Sequence, residues 1–232
     1  MSVMENIGAQ KPHVISGRII ARNTFLNVIS GCIPLATAVL AVPLLIHGFG
    51  TERYGLLTLF WMVIGYLGLL DLGIGRATTK FVADRLSRND HDDLPPLVWT
   101  SWTLLLGLGV LAGLVIVMLV PVLLNHVFSV PPYLRTETTA SLYWLALFMP
   151  LGFIVAGAQG VLAAQQRFDV ITSIQIPAGL SGYLIPLFVL LYTQDLSVVV
   201  WALGVGRTVV GGVYIWCCLR SMPALWHYRR SS

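Results

Sequence analysis

Long apolar runs, each about one bilayer in length, alternate along this chain with short polar or charged breaks. An apolar stretch of about 20 residues is what a helix needs to cross the hydrocarbon core. The first such run follows Arg22 and extends to Ile46. It is longer than the apolar core of a secretory signal and predicts a transmembrane helix. The breaks then divide the chain into spans at about 23–46, 54–86, 97–124, 139–164, 170–192 and 196–219. Residues 1–22 form a cytoplasmic N-terminal segment, 23–219 a six-helix membrane lobe, and 220–232 a basic cytoplasmic tail. Pro34 and Pro43 fall inside span one and predict kinks, which membrane helices tolerate. Span two starts near Tyr54 and keeps helical residues past Asp71, through Arg76, Lys80 and Arg85, so it is expected to run beyond the bilayer. The predicted fold is all-α and polytopic, with about six transmembrane helices.

Composition sharpens this picture. Hydrophobic residues make up 56% of the 232 positions and charged residues only 10%, against about 25% charged in soluble domains. So few charges cannot cover a water-facing surface, and the six spans leave no length for a separate soluble domain. The net charge of +4 does not signal nucleic acid here. Lys and Arg gather in cytoplasmic loops, with the phospholipid bilayer as their anionic neighbour. With the N-terminus inside, the inner segments hold Lys11, Arg18, Arg22, Arg76, Lys80, Arg85, Arg88, Arg167, Arg220, Arg229 and Arg230, and the outer loops hold only Arg53 and Arg135. Both termini are therefore expected in the cytoplasm.

Catalytic signatures are missing. The five histidines are scattered, Cys32, Cys217 and Cys218 have no metal or disulfide spacing, and neither a nucleophile elbow nor a phosphate-cradling loop occurs. No cofactor is expected. Asp90 and Asp92 in the loop before span three form an Asp-x-Asp pattern. Such a pair can hold Mg²⁺ on a nucleotide sugar, or be a solvated acidic loop. Gly109-x-x-x-Gly113 and Ala156-x-x-x-Gly160 are candidate close-approach motifs between helices.

Ionisable residues at membrane depth carry more information, because lipid makes them costly. Arg207 lies within span six, beside Gly204 and Gly206, about 18 Å along the helix from Asp195. Two roles fit it: a fork-like contact for an anionic group such as a diphosphate, or a structural Arg bonded to carbonyls or to Asp71. Asp71, in the inner third of span two, is a coupling carboxylate or an ion-pair partner. Arg76 and Lys80, one turn apart near the inner interface, are either substrate contacts or snorkelling cations. Asn23, Asn27, Ser30, Pro34 and Thr37 share one face of span one, which lines a wet cavity or bonds a neighbour. Gln159, Gln165 and Gln166 present the same choice in span four, and Trp99 and Trp102 are expected to anchor the interface.

The run Phe49-Gly-Thr-Glu-Arg-Tyr-Gly-Leu-Leu57, followed by Asp71-Leu-Gly-Ile-Gly-Arg-Ala-Thr-Thr-Lys80, resembles polysaccharide flippases of the multidrug/oligosaccharidyl-lipid/polysaccharide exporter superfamily. The opening Arg22-Asn-Thr24 with Asn27 is similar to the first helix of these proteins. The resemblance implies transport of a lipid-linked oligosaccharide, built on undecaprenyl diphosphate, across the bacterial inner membrane for polysaccharide biosynthesis such as that of O-antigen. It also implies two six-helix lobes around a cationic cavity that works by alternating access. Arg207, Arg76, Lys80 and Asn27 are then the candidate substrate-binding residues and Asp71 the candidate coupling or ion-pair residue. The chain corresponds to the N-terminal lobe of such an exporter and is expected to be a truncated one, completed by a C-terminal lobe or a second copy. The alternatives are a multidrug or cation-coupled exporter of the same fold and, more remotely, a membrane glycosyltransferase using Asp90 and Asp92.

Overall fold

The computed structural model describes residues 17–67, 73–88, 90, 93–127 and 130–222, with side chains described over 31–63 and, within these ranges, from Gly73 onward. Six helices carry the architecture: α1 (Gly17–Leu67), α2 (Ile74–Ser87), α3 (Leu94–Val122), α4 (Arg135–Ala164), α5 (Phe168–Leu190) and α6 (Leu196–Ser221). A π-helical turn, Leu123–Val127, extends α3, and a 3₁₀ turn, Pro132–Leu134, leads into α4. No strand occurs among the described residues. The chain is a multi-pass, all-α membrane protein. Among the described residues, five helical stretches, two of them including these turns, are long and apolar enough to cross a bilayer: Gly31–Val63, Leu94–His126, Pro132–Ala164, Phe168–Leu190 and Leu196–Ser221.

The difference between five stretches and about six expected spans lies in α1. Its helical run is interrupted at Gly50, which sits at φ 82°, ψ 161°, a backbone region open to glycine and poorly tolerated by residues with a Cβ. Contacts show that the chain reverses there. Before Gly50, Pro34 packs on Gly179 and Gly48 packs on Leu190, so the first leg runs parallel to α5. After Gly50, Trp61 meets the Tyr183 ring edge-on at 5.3 Å, so the second leg runs back down the same helix. The predicted loop at 47–53 is thus a reversal at one glycine. Predicted span two, expected as one helix over 54–86, is divided. Its first part ends at Leu67, and α2 starts after Gly73, which is left-handed at φ 74°. Residues 68–72, including Asp71, lie outside the described residues.

Other helix ends follow from local sequence. Asp195 caps α6, its carboxylate accepting from the Ser197 N–H at 2.8 Å. Pro95 and Pro96 open α3, where the missing N–H costs nothing. The α4 to α5 turn closes as Gln166 takes a positive φ. The Gln166 N–H then donates to the Ala163 carbonyl at 2.9 Å, and the Arg167 N–H to Leu162 at 3.0 Å, the pairing that satisfies the last carbonyls of a helix. Gln165 and Gln166 therefore form this turn.

The hub is α4. Half of its most apolar window is buried, against 28% or less in the other four stretches. A Cβ on Gly109 would lie 2.5 Å from the Pro150 Cα, and one on Gly113 2.7 Å from the Ala146 carbonyl oxygen. The Gly109-x-x-x-Gly113 motif accordingly brings α3 onto α4. Gly160 presses α4 onto α2, within 2.7 Å of the Gly75 carbonyl by the same measure. Trp102 packs in this interior beside Gly157 instead of anchoring the interface, because its position on α3 faces α4. Its indole N–H has no partner among the described residues. Leu35, Leu40, Met118, Leu147, Phe188 and Leu191 stay exposed on the outer faces, where lipid is the matching solvent.

Candidate functional site

Four helices line a cavity of about 510 Å³. Each contributes one helical stripe. Leu151, Gly152, Val155 and Gln159 come from α4; Leu203, Arg207, Val210 and Tyr214 from α6. From α5 come Gln175, Ala178, Gly179, Ser181 and Gly182, and from the α1 hairpin Gly31, Pro34 and Trp61. Spacings of three, four and seven residues place the α4 and α6 sets, and Gln175, Ala178, Gly179 and Gly182 of α5, each on one helix face. The volume falls in the range of small-molecule sites, about 300–1,000 Å³.

Arg207 is the one charged residue of this lining. Its surface is accessible from the cavity, and it makes no ion pair or hydrogen bond with a described side chain. Gln159 and Tyr214 share the cavity wall, and the Tyr214 hydroxyl donates to the Ile171 carbonyl at 3.3 Å. The Ser181 hydroxyl is turned back onto the Ala178 carbonyl at 2.7 Å. Gln175 also lines the cavity, and its amide makes no hydrogen bond with a described residue. A guanidinium that cannot lose its proton thus faces neutral amides and apolar walls.

The other predicted site residues lie elsewhere. Arg76 and Lys80 project from the exposed face of α2, opposite buried Gly75, Thr78 and Val82, and do not line this cavity. Asn27 belongs to α1, but its side chain, like Asp71, lies outside the described residues. Of the predicted polar face of span one, Pro34 reaches the cavity and Thr37 bonds its own helix at the Ile33 carbonyl. Gln175, Trp61 and Tyr214 were not singled out from the sequence. Gln175 carried a usable signal, a lone amide within a span and at helical spacing from Ala178, Gly179 and Gly182. Trp61 and Tyr214 carried none, since aromatics are common in apolar spans.

The acidic loop before α3 is already engaged. Arg85 is ion-paired to both Asp90 and Asp93. The hydrogen bond to Asp90, then the Asp93 charge, hold its guanidinium above the ordinary arginine range. Asp92 lies outside the described residues, and no group of three metal-ligating side chains forms among the described ones.

Comparison with known proteins agrees with this architecture. The MatE family model matches residues 37–186. The chain is also 20% identical over 190 residues to a Shigella flexneri protein named "Putative O-antigen transporter", an alignment covering 82% of this chain and 45% of that protein. The chain thus spans less than half the length of this relative. No solved structure matches.

Proposed function

The chain belongs to the MatE family of the multidrug/oligosaccharidyl-lipid/polysaccharide exporter superfamily, and on that premise we propose that it forms one lobe of a membrane flippase. Its substrate is a lipid-linked oligosaccharide on an undecaprenyl diphosphate carrier, moved across the bacterial inner membrane with both termini of the lobe cytoplasmic. A second lobe or a second copy completes the alternating-access unit. The observation that carries this reading is Arg207, a permanent cation at membrane depth facing a cavity without a carboxylate in its described lining. A polyanionic carrier is the substrate class that such a charge attracts. A cation-coupled drug exporter would be expected to place acidic groups in the same position. The similarity to a protein named for O-antigen transport supports the substrate class. Arg76 and Lys80, on the open face of α2, supply a second cationic pair for the diphosphate at the inner interface, with Asn27 as a further polar contact. Asp71 serves as a coupling carboxylate or as an ion-pair partner.

The test is complementation in cells lacking their own oligosaccharide flippase, with the chain expressed alone and together with candidate second lobes. Restored surface polysaccharide is the expected result for the completed protein. Export should fall at least tenfold in Arg207→Ala. Unchanged export in both Arg207→Ala and Asp71→Ala would remove the site assignment, and rescue of drug resistance in place of polysaccharide would overturn the substrate class.

A further inference from the structure

Two exposed arginines stand at the end of the bundle away from the Gly50 turn. Helix α6 starts at Leu196, whose N–H reaches Glu137, the partner of Arg53. Arg220 is near the other end of α6, about 36 Å away along the axis. Arg167 joins it there, its Nη1 donating to the hydroxyl of the next residue, Ser221, at 2.8 Å. The apolar stretch Phe168–Leu190 begins just after Arg167, and Leu196–Ser221 ends just after Arg220. Both guanidinium groups therefore fall at a membrane–water boundary.

Neither arginine forms an ion pair with a described residue. Asp169, exposed in the first turn of α5, pairs with neither. Arg85 and Arg88, after α2, are by contrast paired to aspartates. Arg167 spends one of its five N–H donors on Ser221. Arg220 is laid on the Trp216 ring, its Cζ 5.3 Å from the ring centroid. That contact uses the face of the guanidinium and leaves its N–H edge open to an acceptor.

An apolar track leads to this charge. Val209, Val213 and Trp216 are 63%, 40% and 57% exposed. With Arg220 they follow spacings of four, three and four residues, which is one helix face. From Val209 to Arg220 the track covers about 16 Å. That is about the depth of one leaflet, since the full hydrocarbon core is about 30 Å thick. An apolar strip one leaflet deep, ending in a cation with no described carboxylate, complements a lipid with an anionic head.

We propose that an anionic glycerophospholipid docks on this face of α6. One acyl chain lies along Val209, Val213 and Trp216, its phosphodiester meets Arg220, and Arg167 is the adjoining cation. Arginine suits the role because its fork matches phosphate oxygens. The inference is independent of the flippase reading, because the occupant is a lipid of the surrounding bilayer and not a transported one.

The test is native mass spectrometry of the full chain, released from micelles doped equally with phosphatidylglycerol and phosphatidylcholine. The wild type should retain phosphatidylglycerol at least fivefold over phosphatidylcholine. The double variant Arg167→Gln/Arg220→Gln should lose that preference, and Arg220→Lys should keep part of it. Trp216→Ala, which removes the ring under Arg220, should lower it at least threefold. Arg88→Gln removes an exposed arginine that is already paired to Asp84 and should leave it unchanged. Circular dichroism checks that every variant keeps its helices.

Equal retention of the two lipids by the wild type would overturn the proposal, as would a preference that survives the double variant. A preference lost as fully in Arg88→Gln would show attraction by net charge alone and overturn it too. So would displacement of the lipid by inorganic phosphate at equal concentration, since the acyl track would then contribute nothing. A dimer mass without lipid preference would mean that a second copy covers this face, which also overturns it. Restoration of polysaccharide export is scored separately, so failure of the flippase reading and failure of this one are told apart.

Discussion

Arg53 and Arg207 belong to the same helix bundle and are treated in opposite ways. At the end of the bundle near the Gly50 turn, Arg53 closes a two-pronged pair with Glu137, Nε donating at 3.0 Å and Nη2 at 2.8 Å. The same carboxylate accepts from the Leu196 N–H at 3.3 Å. One acidic side chain thereby ties the α1 hairpin to the starts of α4 and α6. Further along, Arg207 has the amides of a cavity and no carboxylate among the described lining. The first charge is used up in holding helices together, whereas the second remains available. Where every donor has an internal acceptor, a polar cluster is structural; where a permanent charge lacks one, it marks a place for something else.

The largest effect should come from breaking the satisfied cluster. Glu137→Ala leaves Arg53 and the Leu196 N–H without their acceptor in a partly buried site. It should destabilise the protein by about 2–3 kcal/mol, read as a lowered melting temperature in detergent. If that melting temperature is unchanged, the cluster is not what joins the three elements. Next comes the α3 to α4 contact. Gly109→Val would drive a side chain into the Pro150 backbone and should cost about 1–3 kcal/mol, measured in the same melt. Asp195→Ala removes the α6 cap and should cost about 1 kcal/mol. Smallest of all in stability is Arg207→Gln. It deletes a charge with no described partner, so the melt should move by no more than about 0.5 kcal/mol. Export should nevertheless fall at least tenfold. A large loss of stability in Arg207→Gln would mean that this arginine, like Arg53, is structural, and the comparison would collapse.

Much of the lobe is readable in the residue order. The apolar runs of α3 to α6 locate those helices within a few positions, because the bilayer imposes a minimum apolar length on every crossing. Asp195 ahead of an apolar run is a legible cap, and Gly109 with Gly113 a legible contact. Arg207 stands out for a related reason: one charge in a long apolar run is conspicuous. Span two is less legible. Its residues favour helix throughout, and nothing local announces that Gly73 would adopt a left-handed backbone and divide it. Nor does sequence separate Gln159 from Gln165 and Gln166. The first lines a cavity, and the other two build the α4 to α5 turn.

Hydropathy and charge placement by themselves determined that this is an all-α protein of the membrane, and the motif around Asp71 to Lys80 pointed to its superfamily. These are one-dimensional properties, since each depends on a run of residues and on the solvent that surrounds it. Only the tertiary structure decided which polar residues meet. It directed Arg53 to a carboxylate eighty-four positions away, placed Arg207 with Gln159, Gln175 and Tyr214 in one cavity, and set Arg76 and Lys80 on an open face instead. Those outcomes depend on how helices pack against α4, where the missing Cβ of Gly109 and Gly113 lets α3 approach closely.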